Sequence, residues 1–361
     1  MQTKQKTATI GAFSSYKHFI RKKIVFLAVL SAFVLLFLLA GLLLGSSGIS
    51  LSDSFFAIFG KGEAVNVRIV QKIRLPRVLA GLCAGMGLAL SGLLMQSCLD
   101  NPMASPGTLG VSNAAVLGAN VAILIISGGM VSTNGNSNWN LFNPYAVSAF
   151  AFLFAILSTL LVLGLSRIRN FSPDALILSG VALSALFQAI TTLIQYFATD
   201  VQLSSAVYWT FGDLGRASFR DVYLMLGVFL VAFLVSYLFR YQLNALTMGE
   251  EQAKGLGVRT SLLRFVLLLA ASLLAAVSIS FLGIIGFVGL MAPHIVRRII
   301  GGDHRFLIPG SCLMGALILL VSDTLARALM QGISLPVGAV TAILGAPFFL
   351  FLILSGKKER S

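Results

Sequence analysis

Long uncharged apolar runs recur along this 361-residue chain, and short charged segments separate them. The first run, residues 24–44, has 21 residues, which matches the ~20 that an α-helix needs to cross the hydrocarbon core of a bilayer. Seven more apolar runs, uncharged except for Asp323 in the sixth, lie at residues 78–99, 109–126, 145–165, 175–197, 222–239, 308–325 and 337–354. The pattern predicts an all-α protein that crosses a membrane many times.

The stretch between Arg264 and Arg297 needs a separate interpretation. Its 32 uncharged residues would form a helix of about 48 Å, too long for one ~30 Å crossing and short for two. Gly283, Gly286 and Gly289 interrupt its middle. We therefore predict two spans around a turn near residues 281–286, which gives about ten transmembrane helices. Backbone broken at that depth must be buried in protein or line a cavity.

Composition and charge narrow the class of protein further. The chain is 57% hydrophobic and 11% charged, whereas soluble proteins average roughly 25% charged residues. We predict one transmembrane domain at residues 24–354 between cytoplasmic tails at 1–23 and 355–361. With ten spans, most of the 26 Lys and Arg fall on the side of both termini, as the positive-inside rule expects for cytoplasmic ends. The outside cations cluster between the first two spans: Lys61, Arg68, Lys72, Arg74 and Arg77.

Several chemistries lack their sequence signatures. The chain has no G-x-x-x-x-G-K-[ST], H-E-x-x-H or G-x-S-x-G motif, and its three cysteines form no C-x-x-C pair, so no catalytic or metal site is predicted. Asp323 is the one acidic side chain well inside a predicted span, which disfavours a proton-coupled carrier. A stand-alone secondary carrier remains an alternative because broken helices would also serve it. An intramembrane enzyme would need a convergent set of reactive groups, and we find none.

Five segments carry specific motifs. They are Arg74-Leu-Pro-Arg77, residues 101–112 starting with Asn101-Pro102, residues 249–257, residues 286–297 with Gly286, Gly289, Pro293 and His294, and residues 335–338 followed by 345–348. In this order they resemble the FecCD-like permease family of type II ABC importers for iron-siderophores, haem and vitamin B12. The resemblance covers most of the chain, from about residue 68 to 354.

The resemblance implies an architecture and a set of partners. Members of the family have ten transmembrane helices and form a pair of permease subunits, which could be identical or paralogous. The pair works with two cytoplasmic ATPases, which hold ATP and Mg²⁺, and with an extracytoplasmic substrate-binding protein. This chain would then bind no cofactor, metal or nucleic acid, catalyse no reaction, and lie in the bacterial plasma membrane. The expected cargo is a metal chelate, with an iron-siderophore ranked before haem or vitamin B12.

The resemblance also implies docking residues. In the family, the two arginines of the R-L-P-R motif and one near the outer end of the ninth helix pair with glutamates of the binding protein. Here these are Arg74, Arg77 and Arg327. Arginine suits this role because its guanidinium forks onto carboxylates. Two alternatives remain: Arg74 and Arg77 could reach lipid headgroups, and Arg327 could pair locally with Asp323.

Residues 243–258 match the family's coupling segment, which fits a cleft on the ATPase. The implied contact residues are Gly249, Glu250, Glu251, Ala253, Lys254, Leu256 and Gly257. A short helix ended by glycines can transmit a rigid push. The alternative is a solvated charged loop.

The resemblance places the inner gate at Ser172, Pro173 and Asp174, although the family's gate has small hydroxyl residues there, and it lines the pathway with the fifth and tenth helices. Along the fifth span, polar side chains recur every three or four residues: Gln188, Thr191, Thr192 and Gln195. They could wet one helix face or form hydrogen bonds between subunits. We further expect Asn101-Pro102 to begin the third span, with a simple helix cap as the alternative, and His294 to be a satisfied structural histidine rather than a metal ligand.

Overall fold

The structure, a computed structural model, describes residues 2–45, 48–126, 144–329 and 335–355 and is almost entirely helical. The helices are α1 (Gln2–Leu43), α2 (Leu51–Ile58), α3 (Ala64–Ile69), α4 (Leu75–Cys98), α5 (Val111–Asn120), α6 (Pro144–Arg167), α7 (Pro173–Tyr196), α8 (Asp200–Thr210), α9 (Phe219–Leu238), α10 (Arg240–Leu246), α11 (Glu250–Gly255), α12 (Thr260–Leu282), α13 (Val288–Ile300), α14 (His304–Ala328) and α15 (Val337–Ser355). Apart from residue 355, the predicted C-terminal tail lies outside the described residues.

Seven helices of the described part are long and apolar enough to cross a membrane. They are Phe19–Leu43, Ala64–Cys98, Pro144–Arg167, Pro173–Tyr196, Phe219–Leu238, Thr260–Leu282 and His304–Ala328, and shorter apolar helices cover Val111–Ile126 and Val337–Phe351. The prediction of a polytopic all-α membrane protein is confirmed.

The second span is longer than the apolar run predicts. The helix starts at Ala64 instead of residue 78, and it reaches α4 through a wide π turn at Val70–Arg74. The N–H of Leu75 donates to the Val70 carbonyl in this turn. Pro76 follows directly, so its missing N–H falls where the regular i→i−4 ladder is already interrupted.

Helix α4 forms the centre of the bundle and packs against α9, α12, α13 and α14. Its glycines allow the closest approaches, as is usual between helices in lipid. A Cβ added at Gly85 would lie 2.5 Å from the Gly315 carbonyl oxygen of α14. One added at Gly92 would overlap the backbone of Gly289 in α13. The small residues of α4 therefore set the spacing of the core.

The turn predicted near residues 281–286 follows the end of α12 at Leu282. Gly283 takes a left-handed φ of +81°, and a Cβ there would meet the Trp209 carbonyl oxygen at 2.6 Å. The broken backbone is paired inside the protein: the N–H of Asp213 donates to the Leu282 carbonyl at 2.9 Å, and that of Ile284 to the Thr210 carbonyl at 3.3 Å. The break thus meets the requirement that backbone at membrane depth be satisfied internally.

Helix α13, which follows the break, is shorter than a full crossing. Its 13 residues span only about 20 Å, although the apolar run predicts a complete span. It begins after Phe287, a non-glycine residue with a left-handed φ of 65°. The break between α12 and α13 takes residues 283–287 out of helical structure, so the 32 uncharged residues do not form two full helices.

Replacing Gly92 by alanine is expected to lower thermal stability, because the new methyl group would overlap the Gly289 backbone. Overpacking of this kind typically costs about 1–3 kcal/mol. Gly87→Ala is the matched control on the same helix, since its Cβ would lie 3.6 Å from Leu274 Cδ2. Thermal denaturation of the purified protein in detergent measures both. Equal melting temperatures for the two variants would contradict the close packing of α4 on α13.

Candidate functional site

Two of the three arginines of the expected docking site, Arg77 and Arg327, contact the same buried carboxylate. Asp323 of α14 is 1% exposed, and its Oδ1 accepts a 2.8 Å hydrogen bond from Arg77 Nε. Arg327 Nε lies 2.9 Å from Asp323 Oδ2 as an ion pair. Arg77 also reaches Asp213, with 3.5 Å between Nη2 and Oδ1. The Asp323–Arg327 pair that the sequence left as an alternative is therefore present.

Two of these arginines cap the C-terminal end of α1. Arg74 Nη1 donates to the carbonyls of Leu42 and Leu43, both at 2.9 Å. Arg327 Nη1 donates to those of Gly41 and Leu44 at 2.9 and 2.8 Å. The last carbonyls of a helix have no intrahelical hydrogen-bond donor and carry partial negative charge. Here the guanidinium groups of Arg74 and Arg327 supply the donors and a compensating positive charge. Sequence reasoning missed this role because the residues involved lie about 30 to 290 positions apart.

This arrangement buries the guanidinium groups. Arg74 is 4% and Arg327 6% exposed, and the Arg77 side chain is 11% exposed. A fork aimed at a partner's carboxylates would need more exposure than this, so direct docking by these three side chains remains a prediction. The cations that do reach the surface in this region are Lys61, Arg68 and Lys72.

The expected coupling segment forms α11 between two left-handed glycines. Gly249 has φ +111° and Gly257 φ +80°, so each bounds the short helix with a conformation that disfavours other residues. Ala253 is fully buried, whereas Leu256 is 68% exposed. Lys254 Nζ lies 3.0 Å from Glu250 and 3.4 Å from Glu251. The helix is internally paired and presents an apolar residue to the surroundings.

Glu250 also joins α11 to the next long helix. Its Oε2 lies 2.6 Å from Nη1 of Arg264, which is 3% exposed in α12. Burial alone would raise the pKa of Glu250, but hydrogen bonds from Arg264 and Lys254 outweigh it and hold the pKa below its usual range. The segment is therefore anchored by an ion pair instead of being a freely solvated loop.

The expected gate residues form the beginning of α7. Ser172 is the N-cap and its hydroxyl accepts from the Ala175 N–H at 3.4 Å, Pro173 follows in the first turn, and Asp174 is exposed. Proline and an acidic residue both suit a helix N-terminus. The turn before them contains Asn170 and Phe171 at φ 51° and 57°, left-handed values that non-glycine residues rarely adopt.

Residues 32–355 match the FecCD transport family. The chain belongs to this family. It is a permease of the type II ABC importers, and it is a multi-pass protein of the plasma membrane. The family consists of transport subunits and not of enzymes, and such permeases work with ATPase and substrate-binding partners.

Individual relatives agree with this assignment over nearly the whole chain. This chain is 46% identical over 344 residues to a protein of Methanocaldococcus jannaschii that is named as a candidate ABC transporter permease. The match covers 95% of this chain and 98% of the relative. The chain is also 39% identical over 338 residues to the vitamin B12 import system permease BtuC of Shigella boydii, covering 94% and 97% of the two chains. A solved structure, the inward-facing conformation of a candidate metal-chelate type ABC transporter, superposes with a TM-score of 0.77 at 30% identity, covering 92% and 99%.

The polar residues of α7 do not share one environment in the permease. Gln188 and Thr192 are exposed, whereas Thr191 is 2% exposed and its hydroxyl donates to the Phe187 carbonyl of its own helix. Gln195 donates from Nε2 to Asn120 Oδ1 of α5 at 2.9 Å. The four polar residues of α7 therefore have three environments: two are exposed, Thr191 is buried, and Gln195 forms a hydrogen bond with another helix of the same chain.

Two expectations for the remaining motif residues are wrong. The third predicted span begins with α5 at Val111, after Gly110 at φ +77°, and not at Asn101-Pro102. Instead, Asn101 Oδ1 accepts from the Met103 N–H at 2.9 Å, and Asn101 and Pro102 border a cavity of about 470 Å³. The expectation that His294 is satisfied fails at one ring nitrogen, since its buried Nδ1 has no hydrogen-bond partner among the described residues.

The glycines and the proline of the same motif take part in hydrogen bonding or packing. The Gly289 carbonyl accepts from Gln96 Nε2 at 3.1 Å, and Pro293 is buried inside α13. The Gly286 carbonyl accepts from the Val288 N–H in the break. Within the described ranges, no group of three or more His, Cys, Asp or Glu is placed to hold a metal ion.

Asp323→Asn is expected to destabilise the permease, because it leaves Arg77 and Arg327 buried without their common counterion. Removing one partner of a buried ion pair costs about 3–5 kcal/mol. Asp200→Asn is the control, since Asp200 is exposed and such surface changes are usually within about 0.5 kcal/mol. Thermal denaturation in detergent measures both, and an unchanged melting temperature for Asp323→Asn would contradict the role of the cluster.

Proposed function

We propose that this chain moves a bulky metal chelate across the plasma membrane as one of two permease subunits driven by two ATPases. The observation that carries the proposal is α11. It is a short helix between left-handed glycines, it exposes Leu256, and it is tied by an ion pair to a membrane-spanning helix. Such a helix can fit a cleft on an ATPase and transmit its movement. The chain itself would bind no cofactor, since ATP and Mg²⁺ would sit on the partner.

The proposal includes ten membrane helices with both ends cytoplasmic. The seven long apolar helices and the two shorter ones support this number if α13, although short, is counted as the tenth. It also includes an inward gate at Ser172, Pro173 and Asp174. The exposed Gln188 and Thr192 of α7 would then face the pathway or the second permease chain, which could be identical or paralogous.

The cargo we place first is an iron-siderophore. Vitamin B12 is the second candidate, and it is favoured by the 39% identity to BtuC over 338 residues. Haem belongs to the same class. All three are large organic chelates of a metal, so one wide pathway would serve any of them, with the choice made largely by the binding protein.

Transport by the reconstituted complex tests the function. Vesicles that contain the permease and its copurifying ATPase, supplied with the cognate binding protein, are expected to accumulate one labelled chelate in the presence of ATP. A ferric siderophore, cobalamin and haem are compared in parallel. The control is an ATPase whose Walker A lysine is replaced, which should abolish uptake. Uptake that persists without an active ATPase would instead indicate a secondary carrier.

For docking, we propose that the buried Arg74, Arg77 and Arg327 shape an outer surface whose accessible charge comes from Lys61, Arg68 and Lys72. Such a surface would attract an acidic binding protein, because electrostatic complementarity steers association. The three arginines themselves could make contact if the binding protein displaces part of the α1 cap.

Reversing charge at Arg68 and Lys72 to glutamate is expected to weaken capture of the binding protein, and more at low salt than at high salt. Both side chains are exposed, so folding should be retained. The control is Arg298→Glu, an exposed cation that the proposed topology places on the cytoplasmic side. Affinity is measured with permease in detergent over a salt series. Equal affinity for the wild-type and doubly reversed proteins at low salt would contradict the docking surface.

A further inference from the structure

One buried arginine joins three segments that are far apart in sequence. Arg264 lies in the second turn of α12 and is 3% exposed. Its Nε donates to the Cys98 carbonyl at the end of α4 at 3.0 Å. Its Nη1 donates to the Phe171 carbonyl at 3.4 Å and pairs with Glu250 of α11 at 2.6 Å. The single guanidinium thus touches the coupling helix and the turn that leads into the gate.

That turn depends on its neighbours for its shape. Asn170 and Phe171 both adopt left-handed φ values, which are sterically disfavoured for residues with a Cβ. Helix α12 holds them from outside: Ser261 Oγ donates to the Asn170 carbonyl at 3.5 Å, and the Phe265 ring packs edge-on against Phe171 with centroids 6.0 Å apart. A strained turn held by contacts can change its arrangement when those contacts move.

The Glu250–Arg264 ion pair connects α11 to the hydrogen bond between Arg264 and the Phe171 carbonyl. Glu250 is partly exposed at 33%, whereas Arg264 is buried, so the attraction acts partly outside water and is stronger than at an open surface. A displacement of α11 would pull Glu250, and the buried Arg264 would have to follow or lose its counterion. Because Arg264 also holds the Phe171 carbonyl, the displacement reaches the residue directly before Ser172.

We propose that Arg264 is a positioning residue that transmits movement of the coupling helix α11, through Glu250, to the turn at Asn170–Phe171 and so to the gate. This inference rests on the proposed function. It assigns the link between ATPase movement and gate opening to one side chain and three contacts. Lysine cannot replace it, because one ammonium group on a flexible stem does not reach three divergent acceptors as the planar guanidinium does.

The test uses the complete complex of permease, ATPase and binding protein in vesicles, and it measures chelate transported per ATP hydrolysed. For Glu250→Gln and Arg264→Lys this ratio is expected to fall about fivefold or more, the usual lower range for coupling between two sites. The matched control is Arg259→Lys, an exposed cation just before α12, whose ratio should equal that of the wild type. Copurification of the ATPase and the melting temperature are recorded for each variant.

A labelling experiment separates transmission from a purely structural role. Asp174 is exposed and the three native cysteines are buried, so Asp174→Cys gives a site for a maleimide reagent. Nucleotide is expected to change its labelling rate in the otherwise wild-type chain and not in the Glu250→Gln background. A nucleotide response that persists in Glu250→Gln, together with an unchanged transport ratio, overturns the inference. Glu250→Gln supplies this answer even if Arg264→Lys does not fold.

Failure of the proposed function and failure of the role of Arg264 give different results. If the wild-type complex shows no ATP-dependent uptake, the proposed function is wrong. If the wild type transports and both variants keep its ratio of transport to hydrolysis, the function stands and the role of Arg264 is wrong.

Discussion

Polar groups inside a membrane must find partners within the protein, and the architecture of this permease follows from that constraint. Asp323 is almost fully buried only because Arg77 and Arg327 surround it. The open carbonyls at the end of α1 are covered by two arginines of other segments. The break after α12 is paired with the backbone near Thr210 and Asp213. Each solution also fixes one helix against another.

The same constraint connects structure to transport. Within the described residues, buried cations lie near both ends of α4: Arg74 and Arg77 at its start, and Arg264 beside its last residue, Cys98. At one end the charges hold the peripheral α1 against the centre of the bundle. At the other end, Arg264 ties α4 to the turn at Asn170–Phe171 and to α11. The buried cations that stabilise the fold thus also lie where the proposed movement of α11 would be transmitted.

Much of the fold could be predicted from the sequence because span length and charge are local properties. The apolar runs located the membrane helices, and three glycines located the break after α12. What escaped prediction depends on distant contacts. Arg264 looked like a charged boundary of an apolar run, and nothing in its neighbours indicates that it reaches Cys98, Phe171 and Glu250. Likewise, the R-L-P-R motif carries no sign that Arg74, one of its two arginines, caps α1. For His294, the lack of other ligands nearby in sequence argued against a metal site, but it could not show that the buried Nδ1 has no hydrogen-bond partner among the described residues.

The central claim is that an ATPase acts on α11 and that this movement reaches the start of α7. Structures of the assembled complex by electron cryomicroscopy, without nucleotide and with bound ATP, test it most directly. The account predicts that the ATPase contacts α11 in both states, and that α11, Arg264 and the Asn170–Phe171 turn shift together between them. An ATPase bound elsewhere on the permease, or a gate turn that moves while α11 and Arg264 stay in place, would contradict it.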